Sequence, residues 1–328
     1  MLRFRKLSPI AIAATVFVML SCQAAFAGGR LLATGGVTEL EGSEGGGIVP
    51  WAIIAGMETR DQVGGTAFYT HISLPNYDVD SAGVAVGIGE RLELSYARET
   101  LSISNAITTP IVTALGLPLG VLDGSTISDD VIGAKLKIAG DAVYDQGSLM
   151  PQISIGAQHK VNTDFKQVLG VTGIPEVLGA KNASGTDFYL AMTKVFLGGA
   201  GGLNLLLNGT IRETSANQDG LLGFGCAPGA CRAGSGGGGY STQGEGSAAV
   251  FLNPNTAIGA EYRTMPNNLV STQEDAWKDL FLAYFPNKQL AFTLAYAALG
   301  NFPGGISAAG ITKEQANGLF LSGQVSFP

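Results

Sequence analysis

The 328 residues include only two histidines, and one of them, His71, stands two positions before Ser73. On an extended strand, residues i and i+2 share a face, so an imidazole and a hydroxyl would lie side by side as a general base beside a nucleophile. A working set also needs a group to orient the imidazole, and the neighbouring sequence names none. Leu74-Pro75 follows directly, and His159 stands far away. No catalytic residue is assigned, and His71 reads as a polar residue on the polar face of its strand.

A second pair is Cys226 and Cys231, within Gly225-Cys-Ala-Pro-Gly-Ala-Cys-Arg232. In an oxidising compartment two nearby cysteines with Pro-Gly between them close a small disulfide. Metal binding is the sharper alternative, but no His or second Cys pair lies near, so neither a metal nor a cofactor is assigned. A third set is made of charges: Lys135, Lys137, Lys160, Arg212 and Arg263, with Glu93 and Glu261. What these can do depends on the elements that carry them.

The N-terminus sets the compartment. Arg3, Arg5 and Lys6 precede an apolar run from Pro9 to Leu20, and Ala25-Phe26-Ala27 supplies a small-x-small cleavage pattern, so residues 1–27 read as a secretory signal peptide. The apolar run is too short for a spanning helix. Losing three basic and no acidic residues takes the formal net charge from −7 to −10 over the remaining 301 residues, 28–328. That acidity argues against a nucleic-acid partner. Charged residues are only 14% of the chain, yet no long apolar helix is present to explain so few. The charge-free stretch Leu101–Leu122 holds Pro110 and Pro118 and reads as a loop, while Gly198–Gly202 breaks Val195–Ile211 into a hairpin.

Period-two alternation explains the composition, because lipid-facing side chains can be spread over every second residue of many strands. Leu203, Leu205, Leu207 and Ile211 oppose Asn204, Asn208, Thr210 and Arg212. Leu290, Phe292, Leu294 and Tyr296 oppose Ala291, Thr293 and Ala295, and the closing segment sets Leu319, Leu321, Val325 and Phe327 against Ser322, Gln324 and Ser326. Phe68, Ile72 and Leu74 oppose Tyr69, His71 and Ser73, which places the apolar three toward lipid. Thirteen such segments are recognisable, the first at Ile48–Met57. An even count is normal. Tight connections near 89–90, 198–202, 253–255 and 286–288 suit the periplasm, and long ones at 99–129, 161–185 and 214–245 suit the outside. Parity then calls for one more strand at Arg30–Glu39, so the expectation is an all-β antiparallel transmembrane barrel of about fourteen strands. If residues 28–57 instead fold inward as a plug, the wall has twelve.

Several phrases resemble an uncharacterised proteobacterial family of outer-membrane barrels, catalogued as domain of unknown function 3034. They are Gly35-Gly-Val-Thr38 with Val49-Pro-Trp-Ala52, Asn217–Gly225, Glu261-Tyr-Arg-Thr264 with Pro266–Leu269, and Trp277–Phe281. The resemblance spans the chain after the signal and implies no activity. It places the protein in the bacterial outer membrane, with lipid and, through its last strand, the insertion machinery as partners. Pro328 displaces the terminal aromatic, Phe327, by one residue.

On this frame Lys135, Lys137, Lys160, Arg212, Glu261 and Arg263 are lumen-lining candidates. Inward charges select solutes in an open pore, and the basic excess among them biases toward anions. The expected function is a porin-like channel or a binding barrel for a small solute. The alternatives are a closed structural or surface-interaction barrel, in which the same charges pair with one another, and, remotely, an outer-membrane lipid hydrolase using His71 and Ser73.

Overall fold

The computed structural model describes residues 30–114, 119, 124–165, 173–301 and 315–327. Residues 1–27, the expected signal peptide, and Pro328 lie outside them. Two short strands, β1 (Val37–Thr38) and β2 (Glu44–Gly45), pair only with each other. The next strands are β3 (Val63–Ser73), β4 (Tyr77–Ile88), β5 (Leu92–Ile103), β6 (Thr126–Ala139), β7 (Gln152–Asn162) and β8 (Ser184–Ala200). They are followed by β9 (Leu203–Thr214), β10 (Ser241–Asn253), β11 (Thr256–Arg263), β12 (Trp277–Tyr284), β13 (Leu290–Asn301) and β14 (Gln315–Phe327). Strands β3 to β14 form a closed barrel in which each pairs antiparallel with its neighbours in sequence. The seam runs between β14 and β3, from Leu319 opposite Ser73 to Phe327 opposite Gly65.

The wall therefore has twelve strands, not fourteen. Arg30–Glu39 and Ile48–Met57 are not part of it, and an even count is reached by removing the Ile48 segment rather than by adding one before it. Burial shows why. A wall strand hides every second residue, as β12 does in strict alternation, whereas residues 35–58 are buried without a break. Only a segment enclosed on all sides does that, so residues 30–58 fold into the barrel as a plug.

The wall's alternation has the physical cause expected of a lipid-embedded sheet. Tyr262, Leu280, Leu282, Tyr284, Phe292, Leu294, Tyr296, Leu319 and Leu321 stand exposed on the outside. Many inward positions are polar or small: Ala249, Ala257, Ala283, Ala291, Ala295 and Ala297 are buried, leaving room for the plug. Closure leaves no unpaired edge, which is the condition for a sheet to cross a membrane. Among the described residues no helix is long and apolar enough to cross one. The chain is a twelve-stranded transmembrane β-barrel of the outer-membrane type.

At the upper end of β3 to β6 the polarity of the two faces is exchanged. Phe68, Ile72, Val79, Leu101 and Ile127 are buried inside, while Tyr69, His71, Ser73, Asp80, Arg98 and Asp130 face out. This reverses the faces assigned to Phe68, Ile72, Leu74, Tyr69, His71 and Ser73 above. Alternation tells which residues share a face, and the apolar set was placed against lipid. Here it packs beneath the outer connections, at a level where the exterior is polar. Those connections also contain α1 (Asn105–Ala114), inside a stretch that reads as a loop, and α2 (Ile174–Val177).

Candidate functional site: the plugged lumen

The plug has almost no secondary structure of its own beyond the β1–β2 pair, so its buried backbone must find partners elsewhere. The inward side chains of the wall supply them. Thr193 Oγ1 accepts from Ala52 N at 2.7 Å, and Ser154 Oγ and Gln152 Nε2 both donate to Ala52 O at 2.6 Å. Thr210 Oγ1 donates to Pro50 O at 2.8 Å. Glu93 accepts from Glu44 N, Ala55 N and the Ser43 hydroxyl, and Glu261 accepts from Ile48 N at 2.9 Å. The indole of Trp51 donates to Ser247 Oγ at 2.8 Å. Gly45-Gly46-Gly47 permits this approach. A Cβ on Gly46 would overlap the Glu261 carboxylate, and one on Gly47 would press on the Phe320 ring.

Charge joins plug and wall more strongly. Lys135, 1% exposed, donates to Ser43 Oγ, Glu44 O and Trp51 O and pairs with Glu93 Oε2 at 3.1 Å. Lys160 pairs with Glu41 of the plug, with Asp187 at 2.9 Å and with Asp219 at 2.7 Å. Arg212 holds Glu41, Glu245 and Asp187 and stacks over the Tyr189 ring. Arg263 reaches Glu41 at 2.9 Å, Asp219 at 2.5 Å and Glu245 at 3.5 Å. Glu41, fully buried, thus touches three basic side chains from three strands. Arg30 closes the lower end on Ile54 O, Gly56 O, Glu58 and Glu90.

Lys135, Lys160, Arg212, Glu261 and Arg263 therefore lie inside the barrel, each against the plug. Lys137 does not join them: it stands at the rim, pairing with Asp141 at 3.7 Å. Glu261 and Arg263 are not partners of each other. Glu261 is satisfied by Ser247 and plug backbone, and Arg263 by three other carboxylates. The basic excess is also corrected. Among the described residues, the buried inward charges of the wall are Lys135, Lys160, Arg212 and Arg263 against Glu93, Glu99, Asp129, Asp187, Glu245, Glu261 and Asp279, an acidic majority.

Outside the barrel, His71 Nδ1 meets Asp80 Oδ1 at 2.9 Å, while Ser73 Oγ donates to Asp78 Oδ1 at 3.0 Å. His71 Nε2 also stands 4.0 Å from Asp78 Oδ1, and among the described residues no hydrogen bond joins imidazole to hydroxyl. Cys226 and Cys231 form a disulfide in the outer connection between β9 and β10. Glu41, Asp187 and Asp219 bring their oxygens together within metal-ligand distances, but the Lys160 ammonium pairs with all three.

The outer connections cap the lumen. Gln218 and Asp219 are both non-glycine residues with positive φ, 45° and 63°, and this costly backbone turns the Asp219 carboxylate down onto Lys160 and Arg263. Beside it Glu274 accepts from Gln218 N at 2.8 Å, and burial pushes its carboxyl up to about 8. At the opposite end a cavity of about 440 Å³ opens between plug and wall, lined by Trp51, Ile53, Val195, Leu206 and Phe251 among others.

Sequence reading overlooked the plug's half of this site, Glu39, Glu41, Glu44 and Glu58, and the cap's Asp219. A signal was present. Glu39 and Glu41 share one face of any extended strand and Glu44 the other, so no wall register at 37–45 would keep all three out of lipid.

The barrel also resembles solved structures at low similarity. The NanC porin aligns at a TM-score of 0.43 and 9% identity, covering 81% of this chain and 100% of that one. The KdgM porin aligns at 0.42 and 8%, covering 80% and 98%. The COG4313 outer membrane channel from Pseudomonas putida F1 aligns at 0.41 and 11%, covering 84% and 95%. Likenesses this distant add nothing to what the strands themselves show. No curated protein matches the chain in sequence. A family model does match over residues 34–324, from the plug to the last strand, and the chain belongs to that family, described as Protein of unknown function (DUF3034).

Proposed function

We propose that this is a closed-lumen barrel, in which the wall and its plug form one rigid support and the capped outer connections are the working surface. The observation that carries this reading is the unbroken burial of residues 35–58 inside the wall. A water-filled path would leave inward lysines and arginines solvated; here each of the four that face the plug is 4% exposed or less. Planar-bilayer recording tests it. The intact refolded protein should give no steady conductance above background, and a steady ohmic conductance would restore the porin-like channel as the better reading. Should a variant lacking residues 30–58 conduct, its acidic majority of wall charges should favour cations, opposite to the bias expected from the basic residues alone.

A second reading rests on the cavity at the periplasmic end. Its apolar lining, with Trp51 from the plug and Leu206 from the wall, suits a small apolar solute. Saturable fluorescence enhancement of N-phenylnaphthylamine that is lost in Leu206→Trp would support it, and unchanged binding in that variant would place the dye elsewhere.

A further inference from the structure

The outer half of the lumen holds more carboxyl groups than its cations can serve. Lys160, Arg212 and Arg263 are shared by Glu39, Glu41, Asp187, Asp219 and Glu245. Two further acids, Glu99 on β5 and Asp129 on β6, are 1% and 0% exposed and take part in none of these pairs. Seven carboxyl groups against three basic side chains leaves four without a compensating charge.

Glu99 and Asp129 are directly opposite each other in the β5–β6 ladder. Like charges placed so are destabilising even on an exposed sheet, and inside a barrel each would also bear the cost of burial. Among the described residues no donor reaches Asp129. Both Asp129 oxygens and Glu99 Oε1 are enclosed without a hydrogen-bond partner among the described residues, and Asp187 Oδ1 is in the same condition. The nearest amide donor, Asn162 across from Asp129 on β7, is spent on Gly220 O and Leu221 O. Asp129 Oδ2 lies against Gly220 itself, at a place where a Cβ would collide with it. The two facing acids thus lie on neighbouring wall strands, Asp129 beneath the strained Gln218–Gly220 turn, and among the described residues no basic side chain forms an ion pair with either.

We propose that Glu99 and Asp129 bind a hard divalent cation of the calcium type, which ties wall strands β5 and β6 to the cap at Gly220. Such an ion takes six to eight oxygens in flexible geometry, and carboxylates, carbonyls and water supply them. It removes the like-charge repulsion and gives the orphaned oxygens their partner. The Lys160 centre is a separate feature, since its ammonium already occupies the space between Glu41, Asp187 and Asp219. The site does not depend on whether the lumen conducts.

The test is calorimetric titration of Ca²⁺ into the intact, refolded barrel after chelator dialysis at neutral pH, with heat-modifiable gel migration as the check of folding. The wild type should bind one Ca²⁺ saturably, and its unfolding temperature on gels should rise with Ca²⁺. Asp129→Asn, which keeps shape and removes the charge, should weaken binding at least tenfold and abolish that rise. Asp130→Asn should change neither, because the adjacent Asp130 faces outward onto Arg98. If Asp129→Asn fails to fold, Glu99→Gln is read on the same titration with the same expectation. Absence of saturable binding to the wild type would overturn the proposal, as would unchanged affinity in the neutralised variant. A wild type indifferent to Ca²⁺, together with a stabilised Asp129→Asn, would show that protons rather than a cation relieve the acids.

Discussion

Replacing Lys135 by Met should release the plug while sparing the wall. The side chain is 1% exposed, and its ammonium serves two plug carbonyls, the Ser43 hydroxyl and the Glu93 carboxylate. Removing one member of a buried pair leaves the other uncompensated, at a cost of about 3 to 5 kcal/mol. None of the wall's ladder hydrogen bonds is touched, so the loss should fall on the local equilibrium that holds residues 43–55 in place. At about 1.4 kcal/mol per decade, the open population should rise from roughly a hundredfold to a few thousandfold. Amide hydrogen exchange read by mass spectrometry reports this directly: peptides covering 43–55 should exchange faster by that factor, and peptides from β9 should not. Adding Glu93→Gln should recover part of the protection, because a neutral amide no longer strands a charge. Unchanged protection of 43–55 in Lys135→Met would refute the claim that charge pairing holds the plug.

Gly46→Val should lower the thermal midpoint of the plug without changing strand content by circular dichroism, because its side chain would displace the Glu261 carboxylate from Ile48 N. Leu294→Arg, on the exposed face of β13, should cost about 2 to 4 kcal/mol of barrel stability in lipid if it lies near the midplane, read by urea titration of tryptophan fluorescence. Glu274 carries a pH prediction. Its folded value of about 8 lies above the ordinary 4.5, chiefly through burial and further through Asp219, with Arg232 opposing. The folded cap therefore retains a proton that the unfolded chain loses, so its stability falls as pH rises from about 4.5 to about 8 and levels off above. Proteolysis of the 264–276 connection should be faster at pH 9 than at pH 6, and Glu274→Gln should flatten that difference.

How much of this was legible in the sequence depended on what each pattern is a consequence of. Alternation follows from the pleat, and it placed Leu203, Leu207 and Ile211 outward and Arg212 inward on β9, as the structure has them. It failed on β3, where Phe68 and Ile72 are buried inside and His71 faces out, because the pleat fixes which residues share a face and not which medium that face meets. The plug was harder. Ile48–Met57 is apolar enough to pass for a wall strand, yet Ile48, Val49, Trp51, Ile54 and Met57 are all buried, on both parities. The ion pairs that decide the lumen join residues such as Glu41 and Arg263 across 222 positions, and no local pattern carries a contact of that range.

The plug also changes what the polar interior is for. In an open pore, inward serines, threonines and lysines face water, and their number reflects the solute. Here Thr193, Ser154, Gln152, Thr210 and Lys135 are directed at the backbone of a segment that pairs scarcely at all with itself. They take the place of the water that would otherwise satisfy those carbonyls and amides, which is why an irregular chain can lie at membrane depth, enclosed by protein. The same logic accounts for the buried charges. Lys160, Arg212 and Arg263 converge on Glu41, a plug residue, so the alignment of three wall strands and the seating of the plug are fixed together. Placing a carboxylate at Arg212 would bring a further acid among Glu39, Glu41, Asp187 and Glu245. Its first consequence would be loss of the plug's seat rather than a change in selectivity.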